Sequence, residues 1–288
     1  MNKFNFAIIT PSYAPDFERC QLLSRSIEQF ISPYVTHYII VDQRDLPLFR
    51  QLQRPKTEII TKEAILPWWI KRIPLVKNTW MSLKSIPIRG WILQQIVKIA
   101  VAQHIEQNIL VFVDSDVVFI RHFNFQSFIR EERVRLFRRP NEDNKQSHFK
   151  YHQSTSRLLG LPPMNYVGAR YIGQLITWRR DNVLKLCAHL ENISGANWVE
   201  TLGNSLQLSE YLLYGAFVDY FLKEQSGHYS DDQNICHEYW DTLSMSDEQL
   251  QNFISGIRPE HVAVMISAKA GMSVQRYQAL LKLIPEIK

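Results

Sequence analysis

Two aspartates one residue apart, Asp114 and Asp116, directly follow the most strand-like run of the sequence, residues 109–113. The run after them, residues 117–120, is apolar as well, so both carboxylates fall within a stretch expected to be buried. Burying two carboxylates is costly unless a cation or hydrogen-bond donors compensate for them. Mg²⁺ and Mn²⁺ take carboxylate oxygens together with substrate phosphate oxygens. The pattern predicts a metal and phosphate site, and a helix cap or solvated turn is the alternative interpretation.

A basic segment precedes this motif. Residues 64–105 contain six basic side chains and no acidic one. Arg89 and Lys98 flank the entrance of a predicted helix, where cations and the helix N-terminus both stabilise an anion. We expect these two residues to contact a diphosphate, and a solvated basic face is the alternative.

Three tryptophans, Trp68, Trp69 and Trp80, lie in the same segment together with three prolines. Residues 66–90 follow no regular hydrophobic period and are predicted to be irregular. Aromatic faces stack on sugar rings and also settle at membrane interfaces. We therefore expect the tryptophans to line either an acceptor-binding wall or a membrane-contacting patch.

The elements that must position these residues alternate along the chain. Short apolar runs predict strands, and apolar residues repeating every three or four positions predict helices. Strands are predicted at residues 4–9, 37–41, 57–61, 109–113, 171–178 and 261–266. Helices are predicted at residues 16–30, 46–52, 91–104, 180–190 and 209–222, and from residue 273 onwards. This order predicts an α/β fold with a parallel sheet covered on both faces.

Glycine does not occur before Gly90. A dinucleotide-binding G-x-G-x-x-G loop or a Walker A loop needs glycines directly after an early strand. Both loops are therefore excluded from the N-terminal part of the chain. A sugar-nucleotide pyrophosphorylase, which needs a glycine-rich N-terminal loop, is disfavoured for the same reason.

The order of three motifs resembles the GT-A glycosyltransferases. The motifs are Ile9-Thr10-Pro11-Ser12-Tyr13, Ile39-Ile40-Val41-Asp42 and Val111-Phe112-Val113-Asp114-Ser115-Asp116. Residues 89–98 also look like the helix that precedes the D-x-D strand in that fold, and residues 209–215 make the combination similar to an uncharacterised bacterial family of GT-A-like proteins. The resemblance implies one GT-A domain over residues 1–288, a Rossmann-like mixed sheet flanked by helices. Residues 1–120 would form its nucleotide-binding half and residues 121–288 its acceptor half.

The resemblance also implies roles for individual residues in the nucleotide-binding half. The residues expected to hold the base and the ribose are Thr10, Pro11, Tyr13 and Asp42. The D-x-D motif would bind the diphosphate through Mn²⁺ or Mg²⁺, with Asp114 and Asp116 as metal ligands and Ser115 among the donor-binding residues. We expect Asp116 to be the more direct metal ligand and Asp114 to orient the ribose or a bound water.

Two residues of the C-terminal half complete this set. Glu210 would face the acceptor hydroxyl as a base or a hydrogen-bond anchor. The alternative is that Ser209 caps a helix and Glu210 favours its first turn. His261 would join the two aspartates as a metal ligand, and the alternative is a structural histidine.

Three function classes stay open at this point. The first is a metal-dependent glycosyltransferase that takes a nucleotide sugar, expected to be a UDP sugar, as donor and a saccharide or glycoconjugate as acceptor. The second is a haloacid-dehalogenase-like phosphatase with Asp114 as its nucleophile. The third is a non-catalytic module that binds a nucleotide or a carbohydrate.

Composition narrows the partners and the compartment. The chain has 33 Lys and Arg against 28 Asp and Glu, and this net charge of +5 is too small to predict nucleic-acid binding. Cys20, Cys187 and Cys236 are widely spaced and form no C-x-x-C pair, which indicates a reducing compartment. No signal-peptide or transmembrane pattern fits. We expect a cytoplasmic protein that can contact the inner face of the membrane peripherally.

Overall fold

The computed structural model describes residues 4–73, 79–143, 146–163 and 168–281, which contain both strands and helices. The strands are β1 (Phe6–Pro11), β2 (Thr36–Val41), β3 (Thr57–Thr61), β4 (Ile70–Arg72), β5 (Thr79–Ser82), β6 (Ile88–Arg89), β7 (Ile109–Phe112), β8 (Val117–Phe119), β9 (Ile129–Arg130), β10 (Arg133–Phe137), β11 (Arg139–Asp143), β12 (Gly168–Arg170), β13 (Ile176–Arg179), β14 (His228–Asp231), β15 (Cys236–Tyr239) and β16 (Ala263–Ile266). The helices are α1 (Phe17–Phe30), α2 (Leu46–Phe49), α3 (Lys62–Ile65), α4 (Gly90–Ala100), α5 (Gln146–Leu159), α6 (Arg180–Ser194), α7 (Trp198–Gly203), α8 (Glu210–Phe217), α9 (Asp247–Ser255) and α10 (Val274–Leu281).

The central sheet has five strands in the order β13, β7, β1, β2, β3. The strands β7, β1, β2 and β3 are parallel, and β13 is antiparallel to β7. Ile9 of β1 belongs to a core cluster with residues of α4, α6 and α8, whereas Ile8 packs with Leu23 and Ile27 of α1. Because both faces of the sheet are covered, β1 and β7 are buried along their whole length and read as continuous apolar runs.

The strand order reverses at β1. From β1 the chain moves outward through β2 and β3, and β7 then lies on the opposite side of β1. In open α/β sheets, ligands bind outside the carboxyl ends of the strands at such a reversal. A ligand-binding site is therefore expected at the carboxyl ends of β1 and β7.

A second sheet begins just after the carboxyl end of β7. Its order is β15, β16, β8, and β8 follows β7 after a short turn. The pair β8 and β16 is antiparallel, with Met265 opposite Val117 and Ala263 opposite Phe119. This register decides which residues of the C-terminal part come close to the turn between β7 and β8.

The predicted α/β class with a sheet flanked by helices is confirmed, and the sheet is mixed rather than wholly parallel. The prediction of an irregular segment at residues 66–90 is wrong, because β4, β5 and β6 form an antiparallel sheet there. The strand predicted at residues 171–178 begins only at Ile176. The division into halves at residue 120 stays a prediction. No helix in the described ranges is both long and apolar enough to cross a membrane.

Candidate functional site

Three carboxylates gather at the carboxyl ends of β1 and β7. Asp114 and Asp116 lie in the turn between β7 and β8, and Asp16 lies just before α1. Asp116 accepts a hydrogen bond of 2.9 Å from the backbone N–H of Ala268. Burial and the negative charges of Asp114 and Asp16 raise the pKa of Asp116 to about 7, against the opposing effect of the Ala268 N–H. Burial, partly opposed by Arg19, and the charge of Asp114 also raise the pKa of Asp16. This edge of the sheet carries negative charge that a cation would stabilise.

Asp114 is held from beneath by Lys98 and from the side by Gln174. The Nζ atom of Lys98 lies 3.3 Å from Oδ1 of Asp114. The Nε2 atom of Gln174 donates to Oδ2 of Asp114 over 3.2 Å, and the backbone N–H of Asp114 donates to Oε1 of Gln174 over 3.4 Å. The Asp114 side chain is 31 % exposed, so it is fixed in orientation while remaining accessible to a ligand.

Lys98 is a buried cation shared by the sheet edge and α8. Its Nζ atom lies 3.0 Å from Oε1 of Glu210 and donates to the hydroxyl of Tyr211 over 2.9 Å. Burial by itself would lower the pKa of Lys98, but Asp114, Tyr211 and Glu210 together raise it well above its ordinary value. Lys98 therefore stays charged and orients Asp114.

Two predictions are corrected by this arrangement. Lys98 does not reach outward toward a diphosphate, because its ammonium is buried among protein partners. Glu210 does not face an acceptor, because its carboxylate is buried and paired with Lys98. One part of the alternative interpretation is confirmed: Ser209 caps α8 by accepting from the backbone N–H of Leu212.

A cluster of cations surrounds Asp42 at the end of β2. Nζ of Lys62 lies 2.7 Å from Oδ1 of Asp42, Arg72 of β4 bonds to Oδ2, and Arg44 lies 3.7 Å away. Asp45 also pairs with Arg44. Three cations thus face two carboxylates, and the Lys62 and Arg72 side chains keep 12 % and 20 % exposure. We call these residues the Asp42 cluster; it places hydrogen-bond donors at this end of the sheet edge. The Glu63 carboxylate, which accepts from the backbone N–H of Gln43, offsets its excess positive charge.

The residues after β1 divide into buried and exposed ones. Thr10 is fully buried, and its hydroxyl is hydrogen bonded to Nε2 of His37 over 2.9 Å. Burial lowers the pKa of His37 to about 3, so the ring is neutral. The Thr10 and Pro11 side chains are both buried, so a nucleotide could contact these two residues only through their backbone, and their predicted role stays a prediction. Tyr13 is 42 % exposed and can contact a ligand.

Three further predicted residues differ in exposure and position. Ser115 is buried between the two aspartates, and Arg89 is exposed immediately before α4. His261 lies opposite Arg121 by the register of β8 and β16. Five residues of extended chain separate that position from Asp116, which is about 16 Å. The prediction that His261 shares a metal ion with Asp116 is wrong, because the two strands are antiparallel.

Residues that sequence reasoning missed lie on the other side of Asp114. The backbone N–H of Gln174 donates to Oε1 of Glu238 over 3.1 Å, and Nε1 of Trp240 donates to Oε2 over 2.7 Å. Leu175, next to Gln174, is buried with a φ of 55°, a conformation that costs a non-glycine residue energy and recurs at functional sites. Burial raises the pKa of Glu238. No sequence motif marks these residues, because Gln174 lies before β13 and Glu238 lies in β15, far away in the sequence.

The donor set suits a metal ion that arrives with a phosphate ligand. Within the described ranges, no group of three or more His, Cys, Asp or Glu side chains is placed to hold a metal ion. Asp114 and Asp116 supply two hard oxygen ligands, and Mg²⁺ or Mn²⁺ commonly completes such a pair with phosphate oxygens and water. The residues therefore fit a metal site that a phosphate-bearing substrate completes better than a site whose metal ligands all come from the protein.

Comparison with known proteins places most of the chain in one protein family. No curated protein is significantly similar to this chain. Residues 7–255 match the model of a family of unknown function, DUF6492. The matched region contains the Asp42 cluster, Asp114, Asp116 and Glu238, and it ends before β16. Because the match covers most of the sequence, the chain belongs to the DUF6492 family.

Proposed function

We propose that this protein is a metal-dependent glycosyltransferase that moves a sugar from a nucleotide-diphosphate donor, preferably a UDP sugar, to an acceptor hydroxyl. The observation that carries the proposal is the pair Asp114 and Asp116 at the strand-order reversal, with the hydrogen-bond donors of the Asp42 cluster along the same edge. A nucleotide-diphosphate sugar matches these two parts of the edge. Its diphosphate needs a cation, and its nucleoside needs hydrogen-bond donors.

On the donor side, Asp114 and Asp116 would hold Mn²⁺ or Mg²⁺. The cation, when bound, would stabilise the negative charge of the departing nucleoside diphosphate. Lys98 and Gln174 keep Asp114 in one orientation, so that less ordering is needed when the donor binds. Lys62, Arg72 and Tyr13 retain exposure at the nucleoside end.

On the acceptor side, we assign the base to Glu238 in place of Glu210. Glu238 is linked to Asp114 through Gln174, is only partly buried, and has a raised pKa suited to accepting a proton. The acceptor oxygen would attack the anomeric carbon, the bond from that carbon to the diphosphate oxygen would break, and the hydroxyl proton would pass to Glu238. Trp240 is 47 % exposed beside this carboxylate and offers a ring on which a sugar can stack.

Thermal shift with UDP, GDP and ADP, each with and without Mn²⁺, tests the donor half of the proposal. A ligand that binds only the folded protein raises the midpoint temperature by mass action. We expect the largest shift with UDP and Mn²⁺ together. The same panel with Asp116→Asn should lose the Mn²⁺-dependent part, and Asp247→Asn, an 89 % exposed aspartate of α9, should keep it.

Equal shifts for all three nucleotides would remove the UDP preference. No shift with any nucleotide and Mn²⁺ would contradict the whole proposal. Hydrolysis of UDP sugars in the absence of acceptor then separates an enzyme from a binding module, and phosphate covalently trapped on Asp114 would favour the phosphatase class instead.

A further inference from the structure

The small sheet formed by β4, β5 and β6 has one buried face. Ile70, Trp80 and Ile88 are at most 2 % exposed and belong to the main core cluster. Trp69 is buried as well, at 6 % exposure. The expectation that three tryptophans form one exposed wall is therefore wrong, because two of them anchor the sheet to the core.

The opposite face of this sheet is open. Lys71 pairs with Met81 across β4 and β5, and Arg89 pairs with Thr79 across β6 and β5. Side chains alternate along a strand, so these residues lie on the face that Trp80 does not share. Lys71, Met81 and Arg89 are all exposed. The face thus combines cations with a bulky apolar side chain.

Large exposed apolar side chains also flank these strands in the sequence. Trp68, just before β4, is 73 % exposed, and Leu83, just after β5, is 64 % exposed. Ile86 and Trp91 are also exposed, and Trp91 packs against Tyr151 of α5 at 5.6 Å between ring centroids. Single exposed apolar residues are ordinary, but a run of five in 24 residues, 68 to 91, indicates a binding surface.

The charge of the same segment is uniformly positive. Of its six basic residues, Lys98 is buried beneath Asp114, Arg72 bonds to Asp42, and Lys77 lies outside the described residues. Lys71, Lys84 and Arg89 are left exposed, and residues 64–105 contain no acidic side chain to pair with them. Lys84 follows β5, and its Nζ lies 5.6 Å from the centroid of the Trp69 ring, at the end of the sheet and not on its open face. We call the exposed surface formed by Lys71, Met81, Leu83 and Arg89, with Trp68 and Lys84 at its end, the basic aromatic face.

We propose that the basic aromatic face binds the surface of a membrane that contains anionic lipids. Tryptophan settles at the level of the lipid headgroups, and lysine and arginine are attracted to a negatively charged leaflet. A second copy of the chain fits the face less well, because a symmetric contact would bring lysines against lysines.

The placement of this face also suits the candidate site, although the proposal does not depend on the glycosyltransferase assignment. Arg72 lies in β4 and bonds to Asp42 at the carboxyl edge of the central sheet. A membrane held against the sheet of β4, β5 and β6 would lie beside that edge. An acceptor carried by a lipid would then be delivered next to the site.

Vesicle flotation tests the proposal with phosphatidylcholine vesicles that do or do not contain phosphatidylglycerol. We expect the full chain to bind only the anionic vesicles at low salt and to detach as salt increases. One lysine near an anionic surface is worth about fivefold in affinity. Lys71→Ala with Lys84→Ala should therefore weaken binding by about 25-fold.

Two matched controls make the test specific. Arg50→Ala with Lys56→Ala removes the same charge from exposed positions near the amino end of β3 and should bind as the unmodified chain does. Trp68→Ser should weaken binding, whereas Tyr34→Ser, which removes an aromatic ring 89 % exposed just before β2, should not. Thermal melts establish that each variant is folded before its affinity is compared.

Three results would overturn the proposal. The first is no flotation of the unmodified chain with anionic vesicles at low salt. The second is equal weakening by the Lys71 and Lys84 pair and by the Arg50 and Lys56 pair, which would mean that net charge alone causes binding. The third is a dimer in sedimentation that Trp68→Ser converts to a monomer, which would assign the face to a second copy.

Discussion

Replacing Asp116 by asparagine removes a charge with little change of shape. The asparagine keeps an oxygen that can accept the hydrogen bond from the backbone N–H of Ala268. In the folded chain, burial and the charges of Asp114 and Asp16 raise the pKa of Asp116 from 3.8 to about 7. A carboxyl whose pKa is higher folded than unfolded binds its proton more tightly when folded. Its contribution to stability is therefore present below about pH 4 and is lost as the pH rises through about 7.

The size of this effect follows from the pKa difference. About three pKa units correspond to about 4 kcal/mol of unfolding free energy. Asp116 is only partly buried, so water screens part of the repulsion between its carboxylate and its neighbours. We therefore expect the free energy of unfolding to change by about 1–3 kcal/mol. At pH 8 the variant Asp116→Asn should therefore be more stable than the unmodified chain, and at pH 4 the two should be equal.

Urea denaturation from pH 4 to pH 9, without added metal, measures the difference directly. The unmodified chain should lose stability relative to Asp116→Asn between pH 4 and pH 8, and Asp247→Asn should show no such divergence. Mn²⁺ with UDP should restore stability to the unmodified chain at pH 8, because the cation offsets the excess carboxylate charge, and should leave Asp116→Asn unchanged. Parallel stability curves for the unmodified chain and Asp116→Asn, together with equal responses to Mn²⁺ and UDP, would refute the reasoning.

Three further substitutions test the rest of the site. Lys98→Met leaves Asp114 and Glu210 without their buried cation and should lower the free energy of unfolding, measured in urea, by about 3–5 kcal/mol. Adding Glu210→Gln should restore part of that stability, and an unchanged stability of Lys98→Met would contradict the buried ion pairs. Glu238→Gln should lower sugar transfer by about 10²–10⁴-fold while the UDP-dependent thermal shift persists, and an unchanged transfer rate would exclude Glu238 as the base. His261→Ala should leave the calorimetric affinity for Mn²⁺ in the presence of UDP unchanged, and a large loss of that affinity would contradict the strand register that separates His261 from Asp116.

Much of the fold was predictable because its strands are buried on both faces. Continuous apolar runs at β1, β2 and β7 and amphipathic periods at α1 and α6 are local patterns, and each was recognised near its observed bounds. The position of Asp114 and Asp116 after β7 was predictable for the same reason. The order of the elements by itself predicted a parallel sheet, and only the family resemblance implied a mixed one, because β13 becomes a neighbour of β7 through a long connection.

The outward or inward direction of a side chain was harder to predict than the element that carries it. Lys98 and Glu210 are charged residues in sequence motifs, and their charges alone suggested contact with a ligand. In the folded chain α4 and α8 bring them together, so that each neutralises the other beneath Asp114. Buried charges are stable only in such pairs, and pairing across 112 residues of sequence has no local pattern.

The sequence by itself determined the α/β class, the absence of a glycine-rich phosphate loop in the N-terminal part, and the two carboxylates at the end of a buried strand, because these depend on residue type and spacing within one segment. Tertiary structure alone decided that Gln174 links Glu238 to Asp114 and that His261 lies before β16, away from Asp116. It also decided that Trp68 is exposed while Trp69 is buried. These depend on strand register and on which faces are covered, and both are fixed only when distant segments pack together.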